Sequence, residues 1–258
     1  MAEQIMERPV AVVTGASSGF GEQIVRNLAT EGWLTIGVAR RADRLMTLAG
    51  EVDGEYKVCD VSDQDYVEET ATAILDEHPK INLLVNNAGE AMRDRFIEAG
   101  DCIDTEDVMK TNYLGSVWMA HALLGGLMDA APSADIVNMV SAAATVTNPH
   151  SGPYGASKSA QLAFSRSLAA DLRPHGVRVH SILPGKANTE GHPQKVSNSF
   201  FSMSKIIGTD VETVADAVVE RIGKKSSEIY VPKVLRAVAV LNTAIPVTAG
   251  RAVNWLLS

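Results

Sequence analysis

Cysteine is scarce in this sequence, and the little there is lies apart. Cys59 and Cys102 are the two in 258 residues, with no CxxC pair and no Cys/His cluster around either. That excludes a disulfide scaffold and offers no zinc-ligand pattern, so no metal is expected and a reducing cytoplasm fits. Long hydrophobic runs are missing too. Near the C-terminus Arg236, Asn242 and Pro246 interrupt the apolar stretch, well short of the ~20 residues of a membrane-spanning helix. The opening MAEQIMERPV has neither the positive charge nor the apolar stretch of a secretion signal. Positive charge is short overall: 23 basic residues face 31 acidic ones, a formal charge of −8 at pH 7. Such a balance repels a phosphate backbone and argues against nucleic acid as a partner.

What is present is ordinary globular material. Hydrophobic residues make up 46% of the chain and charged residues 21%, enough to bury a sizeable core without disorder. The length suits one domain over residues 1–258. Short β-branched runs alternate with segments of helical period, the pattern of repeated βαβ units around a buried parallel sheet. Strands are expected near Pro9 to Thr14, Trp33 to Ala39, Glu55 to Asp60, Ile81 to Asn86, Asp135 to Ser141, Val177 to Leu183 and Glu228 to Val231. Helices are expected notably over Gly21 to Glu31, Asp63 to Glu77, Glu106 to Leu127, Tyr154 to Leu172 and Val211 to Ile222. From Ala187 to Gly208 the period breaks at Gly191, Pro193 and Ser197 to Ser199, while Phe200, Phe201 and Met203 add apolar bulk. That stretch reads as a substrate lid.

The first strand runs into Thr14-Gly15-Ala16-Ser17-Ser18-Gly19-Phe20-Gly21, which opens a helix. Three glycines at a strand-to-helix turn let the backbone approach a pyrophosphate, whose charge the helix N-terminus favours. The fold expected is therefore α/β and doubly wound, a Rossmann-type sheet of seven parallel strands with helices on both faces. At the end of the second strand, where an acidic residue would grip a free ribose hydroxyl, stand Arg40 and Arg41. Two guanidinium groups there suit the 2′-phosphate of NADP(H), with Ser17 assisting; NADP(H) is preferred and NAD(H) is the alternative. Asp60 and Val61 end the third strand; Asp60 could accept from an adenine amino group or could cap the following helix. Asn86, Ala88 and Gly89 close the fourth strand with small residues that permit close approach.

Tyr154 and Lys158 are four residues apart in a helical segment, so one face carries both. A cation ~4 Å from a phenol, in an effective dielectric of ~20, is worth roughly 4 kcal/mol, or about 3 pH units before desolvation opposes it. That brings a tyrosine toward use as an acid or base near neutrality. Ser141 ends the fifth strand, and a loop could bring its hydroxyl beside Tyr154.

These residues together resemble the short-chain dehydrogenase/reductase family, from about Pro9 to about Thr189, with a recognisable final strand at Glu228 to Pro232. The resemblance is carried by TGASSGFG, CDV at Asp60, NNAG at Asn86 to Gly89, NYLG at Asn112 to Gly115, Ser141, YGASK, and Pro184-Gly185 followed by Thr189. It implies hydride exchange between a nicotinamide and a carbonyl/alcohol pair. Tyr154 would be the acid/base, Ser141 would polarise the carbonyl, and Lys158 would lower the tyrosine pKa and bind ribose hydroxyls. Asn112 would distort its helix and hold a water in a proton relay. Ser17, Ser18, Gly19, Phe20 and Gly21 would meet the cofactor, as would Pro184, Gly185 and Thr189. A homo-oligomer, dimer or tetramer, is also implied.

Two departures stand out. Lys186-Ala187-Asn188-Thr189 replaces the usual apolar residue before the threonine, and the C-terminus lacks the Gly-rich ending of acyl-carrier ketoreductases. The expected function is an NADP(H)-dependent carbonyl reductase or alcohol dehydrogenase for a fairly apolar small molecule. Two alternatives are a nicotinamide-sensing protein without turnover and an enzyme acting on lipid or isoprenoid carbonyls. The latter would dock peripherally on a membrane through the apolar tail, residues 233–258, where Val234, Leu235, Val238, Leu241, Ile245 and Leu256 could share a face.

Overall fold

A computed structural model describes residues 8–91, 103–146, 152–187 and 208–245 of the chain. The first half alternates strand and helix: β1 (Val10–Thr14), α1 (Gly19–Thr30), β2 (Leu34–Ala39), α2 (Ala42–Val52), β3 (Glu55–Val58), α3 (Gln64–Glu77) and β4 (Leu83–Asn86). There follow α4 (Ile103–Met109), α5 (Gly115–Ala122), α6 (Leu124–Asp129), β5 (Ala134–Met139), α7 (Gly152–Leu172) and β6 (Val177–Pro184). A two-residue pair, β7 (Lys186–Ala187) and β8 (Gly208–Thr209), precedes α8 (Val211–Val219), β9 (Ser227–Val231) and α9 (Val234–Ala244).

Seven strands form one parallel sheet in the order β3-β2-β1-β4-β5-β6-β9. Helices cover both faces, which is why β1, reading VAVVT, is buried at every position. One face packs Val10, Val12, Ile36, Leu84 and Ile136 against Met119, Leu123 and Leu127. On the other, Ala11, Val13, Leu83 and Val137 meet Ile24, Leu28 and Val218. The alternation of neighbours along each strand is the two-residue period of the pleat. Helix α1 buries Ile24, Val25 and Leu28, one stripe of an amphipathic cylinder.

The seven expected strands are all present, within a few residues of their expected ends, although β3 stops at Val58 and β5 at Met139. Helix α2 adds to the helices expected above and carries its own signal: Leu45, Leu48 and Ala49 are its buried residues, at helical spacing. The helix expected over Glu106 to Leu127 is not one helix. It passes through a π-helical turn at Lys110–Leu114 and breaks again between α5 and α6. Most of the stretch expected to be a lid, residues 188–207 with Phe200, Phe201 and Met203, lies outside the described residues, as do Thr189 and the tail beyond Ile245.

Candidate active site

The order of the strands reverses between β1 and β4, so the chain leaves their C-terminal ends in opposite directions and a crevice opens there. The glycine turn floors it. Gly15 has a φ of +66°, and a Cβ on it would lie 2.8 Å from Ala88 Cα. A Cβ on Gly21 would lie 2.3 Å from the Gly15 carbonyl oxygen and 2.5 Å from Asn87 Nδ2. Turn, helix and the fourth strand's end are therefore in backbone contact, which no larger residue permits. Ser18 stands at the N-cap of α1 but makes no side-chain capping bond there; its Oγ accepts from Arg41 Nη2 at 2.7 Å. The first N–H groups of α1 are left for an anion.

A cavity of about 590 Å³ occupies the crevice. Gly15, Ser17, Ser18, Gly19, Phe20, Arg40, Arg41, Asp60, Val61, Ala88 and Gly89 line it. Arg41 Nε also donates to Ser17 Oγ at 3.1 Å. Arg40 is shared between Asp60, at 3.5 Å, and Glu90, at 3.2 Å. The capping role open to Asp60 belongs instead to Asp63, whose Oδ1 accepts from Tyr66 N at 3.1 Å. Asp60 Oδ1 accepts from the N–H and hydroxyl of Ser62 at 3.0 and 2.8 Å. Burial alone would raise its pKa; the Ser62 bonds and Arg40 outweigh that and hold it below the usual carboxylate range.

Two expected cofactor residues are elsewhere. Asn86 is an interior residue, 2% exposed, whose Nδ2 donates to Asn138 Oδ1 at 2.9 Å and to the Ser116 carbonyl at 3.4 Å. It is the last residue of β4 and its side chain still follows the buried period. Asn87, which that reading passed over, lines the crevice, pinned by its Nδ2 to the Thr14 carbonyl at 2.9 Å. Gly21 lies behind the wall and serves packing. Cys59, Glu90 and Thr111 also line the cavity; nothing in residue type alone marked them.

A second cavity, about 90 Å³, adjoins the first and shares Phe20, Asn87 and Gly89 with it. Its other walls include Ser141, Tyr154, Lys158, Pro184 and Gly185, residues drawn from three different segments of the chain. Ser141 Oγ accepts from Ala143 N at 3.1 Å, so its own hydrogen remains for a ligand oxygen. Lys158 is 3% exposed, and Nζ donates to the Met139 carbonyl at 2.8 Å and to Gln161 Oε1 at 2.9 Å. Burial pulls its pKa down to about 7. The electrostatic help expected for Tyr154 assumed a fully charged lysine; burial makes that charge conditional on pH.

Asn112 sits inside the π-helical turn, fully buried. Its Oδ1 accepts from Glu90 N at 2.7 Å, and its Nδ2 donates to the Glu90 carbonyl and to Ser157 Oγ, each at 2.9 Å. A larger cavity, about 1400 Å³, lies between α7, β9 and α9, away from the glycine turn.

Fold and crevice together define a dinucleotide-binding α/β oxidoreductase. The chain belongs to the short chain dehydrogenase family, whose pattern matches residues 9–199. It is 38% identical over 182 residues to a sulfoacetaldehyde reductase of Chromohalobacter salexigens, covering 69% of this chain and 72% of that one. It is 34% identical over 209 residues to a serine 3-dehydrogenase of Agrobacterium fabrum, covering 78% and 83%. An alcohol dehydrogenase from the archaeon Thermococcus sibiricus, complexed with 5-hydroxy-NADP, superposes with a TM-score of 0.76 at 27% identity, covering 87% of this chain and 96% of that one. The protein is a nicotinamide-dependent oxidoreductase that interconverts a carbonyl and an alcohol.

Proposed function

We propose that this protein is an NADP(H)-dependent carbonyl reductase in which Tyr154 moves the proton. The observation that carries the reading is the junction of the two cavities, with Ser141, Tyr154 and Lys158 in the smaller one and the glycine turn and Arg40/Arg41 in the larger. The residues around the two cavities would hold a nicotinamide cofactor, which would supply the hydride in reduction. Tyr154 gives its phenolic proton to the substrate oxygen, and Ser141, with its hydroxyl hydrogen unspent, holds that oxygen as negative charge develops. Lys158 keeps the phenol acidic and offers a donor to ribose hydroxyls. Asn112, locked in the π-helical turn beside Ser157, is assigned to the proton relay on the family resemblance. Pro184 and Gly185, which line the smaller cavity, would contact the nicotinamide end of the cofactor, and Thr189 is assigned to the same group.

Arg41, anchored on Ser17 and Ser18 at the end of the turn, supports the choice of a 2′-phosphate. A titration with NADPH and NADH followed by fluorescence tests it. Wild type should bind NADPH the more tightly, and the Arg40→Ala/Arg41→Ala double variant should lose that preference, by about tenfold or more for two charge-assisted contacts. Equal binding of the two cofactors by wild type, or a preference for NADH, would make the arginines surface charges and turn the reading toward an NAD-linked alcohol dehydrogenase.

The substrate is proposed to be fairly apolar, because Phe20, Met139, Val140 and Ala187 share the smaller cavity. Sulfoacetaldehyde and serine, named for the two relatives, are the polar competitors, and much faster turnover of either than of hydrophobic aldehydes would defeat this part of the reading. The intact proton-transfer set speaks against a sensor without turnover; a Tyr154→Phe variant indistinguishable from wild type would restore that possibility. Membrane docking has one observation in its favour: Val240, Leu241 and Ile245 of the α9 region are exposed. Leu235 and Ala239 of the same helix pack on Tyr230 and Leu183, so only part of the expected apolar face is available. Sedimentation with anionic vesicles, with and without the segment from Val240 onward, separates docking from its absence.

A further inference from the structure

Lys158 is gripped from behind by a side chain that lines neither cofactor cavity. Gln161, one turn along α7, is fully buried, and its Oε1 accepts from Lys158 Nζ at 2.9 Å. The other end of the amide is committed as well, since Nε2 donates to Ser116 Oγ at 2.8 Å. Ser116 Oγ in turn gives its hydrogen to the Asn112 carbonyl at 3.2 Å. A hydroxyl that has donated its single hydrogen can only accept from Gln161, so the amide cannot flip, and its oxygen must face the ammonium. Lys158 has three hydrogens. Two go to the Met139 carbonyl and Gln161 Oε1, which leaves one for the smaller cavity. On the cavity side Gly89 faces it, and a Cβ built there would lie 3.5 Å from Nζ, so the missing side chain leaves that approach open.

We propose that Gln161 is a positioning residue for proton transfer, holding the Lys158 ammonium in register with Tyr154. The inference rests on Tyr154 and Lys158 being the proton-transfer pair. No ionised side chain offsets the burial of Lys158 among the described residues; the groups that favour its charged form are two neutral oxygens, and Tyr154 is the titratable neighbour on its own helix. Gln161 Oε1 is the one of the two oxygens that a substitution can remove. The same buried chain ties Gln161 through Ser116 to the π-helical turn, so Lys158 and Asn112 are fixed relative to each other by hydrogen bonds.

The test uses Gln161→Leu, which removes the acceptor at similar volume, and Gln161→Glu, which keeps an acceptor and adds charge. Lysine-selective ¹⁵N NMR of the cofactor-free protein reads the Lys158 titration directly. It should fall by about one pH unit in Gln161→Leu and rise in Gln161→Glu, the scale of one hydrogen bond to a charged group. In NADPH-dependent reduction of the aldehyde turned over fastest in the panel, kcat of Gln161→Leu at pH 8 should drop about tenfold with KM nearly unchanged, and the high-pH limb should move to lower pH. A purely structural amide would lower stability and leave the limb in place. An unmoved Lys158 titration in either folded variant overturns the proposal, and Gln161→Glu alone decides if Gln161→Leu does not fold. Tyr154→Phe separates the two levels. If it retains wild-type turnover, the proposed function fails and takes the inference with it; if it is silent while both Gln161 variants titrate as wild type, only the inference fails.

Discussion

A missing methyl group shapes this site as much as any charged side chain. Gly21 is held so close to the Gly15 carbonyl and Asn87 Nδ2 that a Cβ would sit inside both van der Waals radii. Gly21→Ala is expected to cost about 1–3 kcal/mol, as overpacking does, and to weaken NADPH binding because the turn must open. Gly50 makes a matched control, since it lies in α2 with nothing within 4 Å of a built Cβ. There Gly50→Ala should stabilise by about 0.5–1 kcal/mol through helix propensity. Urea denaturation of both variants checks the opposite signs, and equal effects would show that crowding at Gly21 has been overrated. At this scale the sequence was informative about residue type and blind to contact. It marked Gly21 as a cofactor residue because of the glycine spacing, whereas its role is to let helix and strand touch.

Among the elements, the segment around Asn112 shows how a helix is sacrificed locally for a site. Residues 110–114 widen into a π-helical turn, and the Asn112 amide serves the N–H and carbonyl of Glu90 as well as Ser157 Oγ. Those backbone groups belong to the stretch just after β4, where a sheet partner is no longer available to them. Asn112→Leu keeps the volume and strands both, at about 1–3 kcal/mol for each buried group left unsatisfied. The readout is hydrogen exchange at the Glu90 amide, which should lose protection well beyond the global change in stability. Protection unchanged at Glu90 would mean that the amide clamp is unimportant to the loop. Periodicity predicted one helix over this region because apolar residues keep recurring through it; the wider turn leaves no trace in hydrophobic spacing.

For the molecule as a whole, the far end of the sheet is tied by a buried carboxylate and a partly exposed arginine. Asp135 on β5 accepts from Arg178 Nε and Nη2 at 2.9 and 2.8 Å, from His180 Nε2 at 3.0 Å, and from Gly223 N at 3.1 Å. It thereby joins β5 and β6 to the turn that follows α8. Burial by itself would raise the Asp135 pKa, but the bonds from His180 and Arg178 outweigh it and the carboxyl lies below its ordinary value. A depressed carboxyl pKa means that the unfolded chain binds the proton first. Its stabilisation is therefore complete above the unfolded pKa and is lost as pH falls through the folded one. Asp135→Asn should cost about 1.5–3 kcal/mol at pH 7, since it removes the charged partner of Arg178, which is partly exposed and keeps the Pro132 carbonyl. The variant should also show a flatter loss of stability than wild type as pH falls below about 4. Urea midpoints at pH 7, 5 and 3.5 test this, and parallel curves for the two proteins would exclude Asp135 as the source of the acid sensitivity.

The sequence by itself determined the class of fold and the ingredients of the chemistry. Alternating β-branched runs and amphipathic segments can be satisfied only by a sheet covered on both faces, and a glycine turn before a helix already specifies an anion site. Ser141, Tyr154 and Lys158 could be named as candidates from residue type and from the four-residue spacing of the last two, and the fold brings all three to one cavity. Tertiary structure decided which residue of the Asn86-Asn87 pair faces the crevice, because the strand's end and the pleat set that, not the residue type. It also decided the fate of Asp60, which lines the cavity while Asp63 caps the helix. It decided that Lys158 is held by Gln161 and the Met139 carbonyl in a place dry enough to bring its pKa to about 7. Burial and the partners of a charge arise from segments far apart in the chain, and no local pattern of residues encodes them.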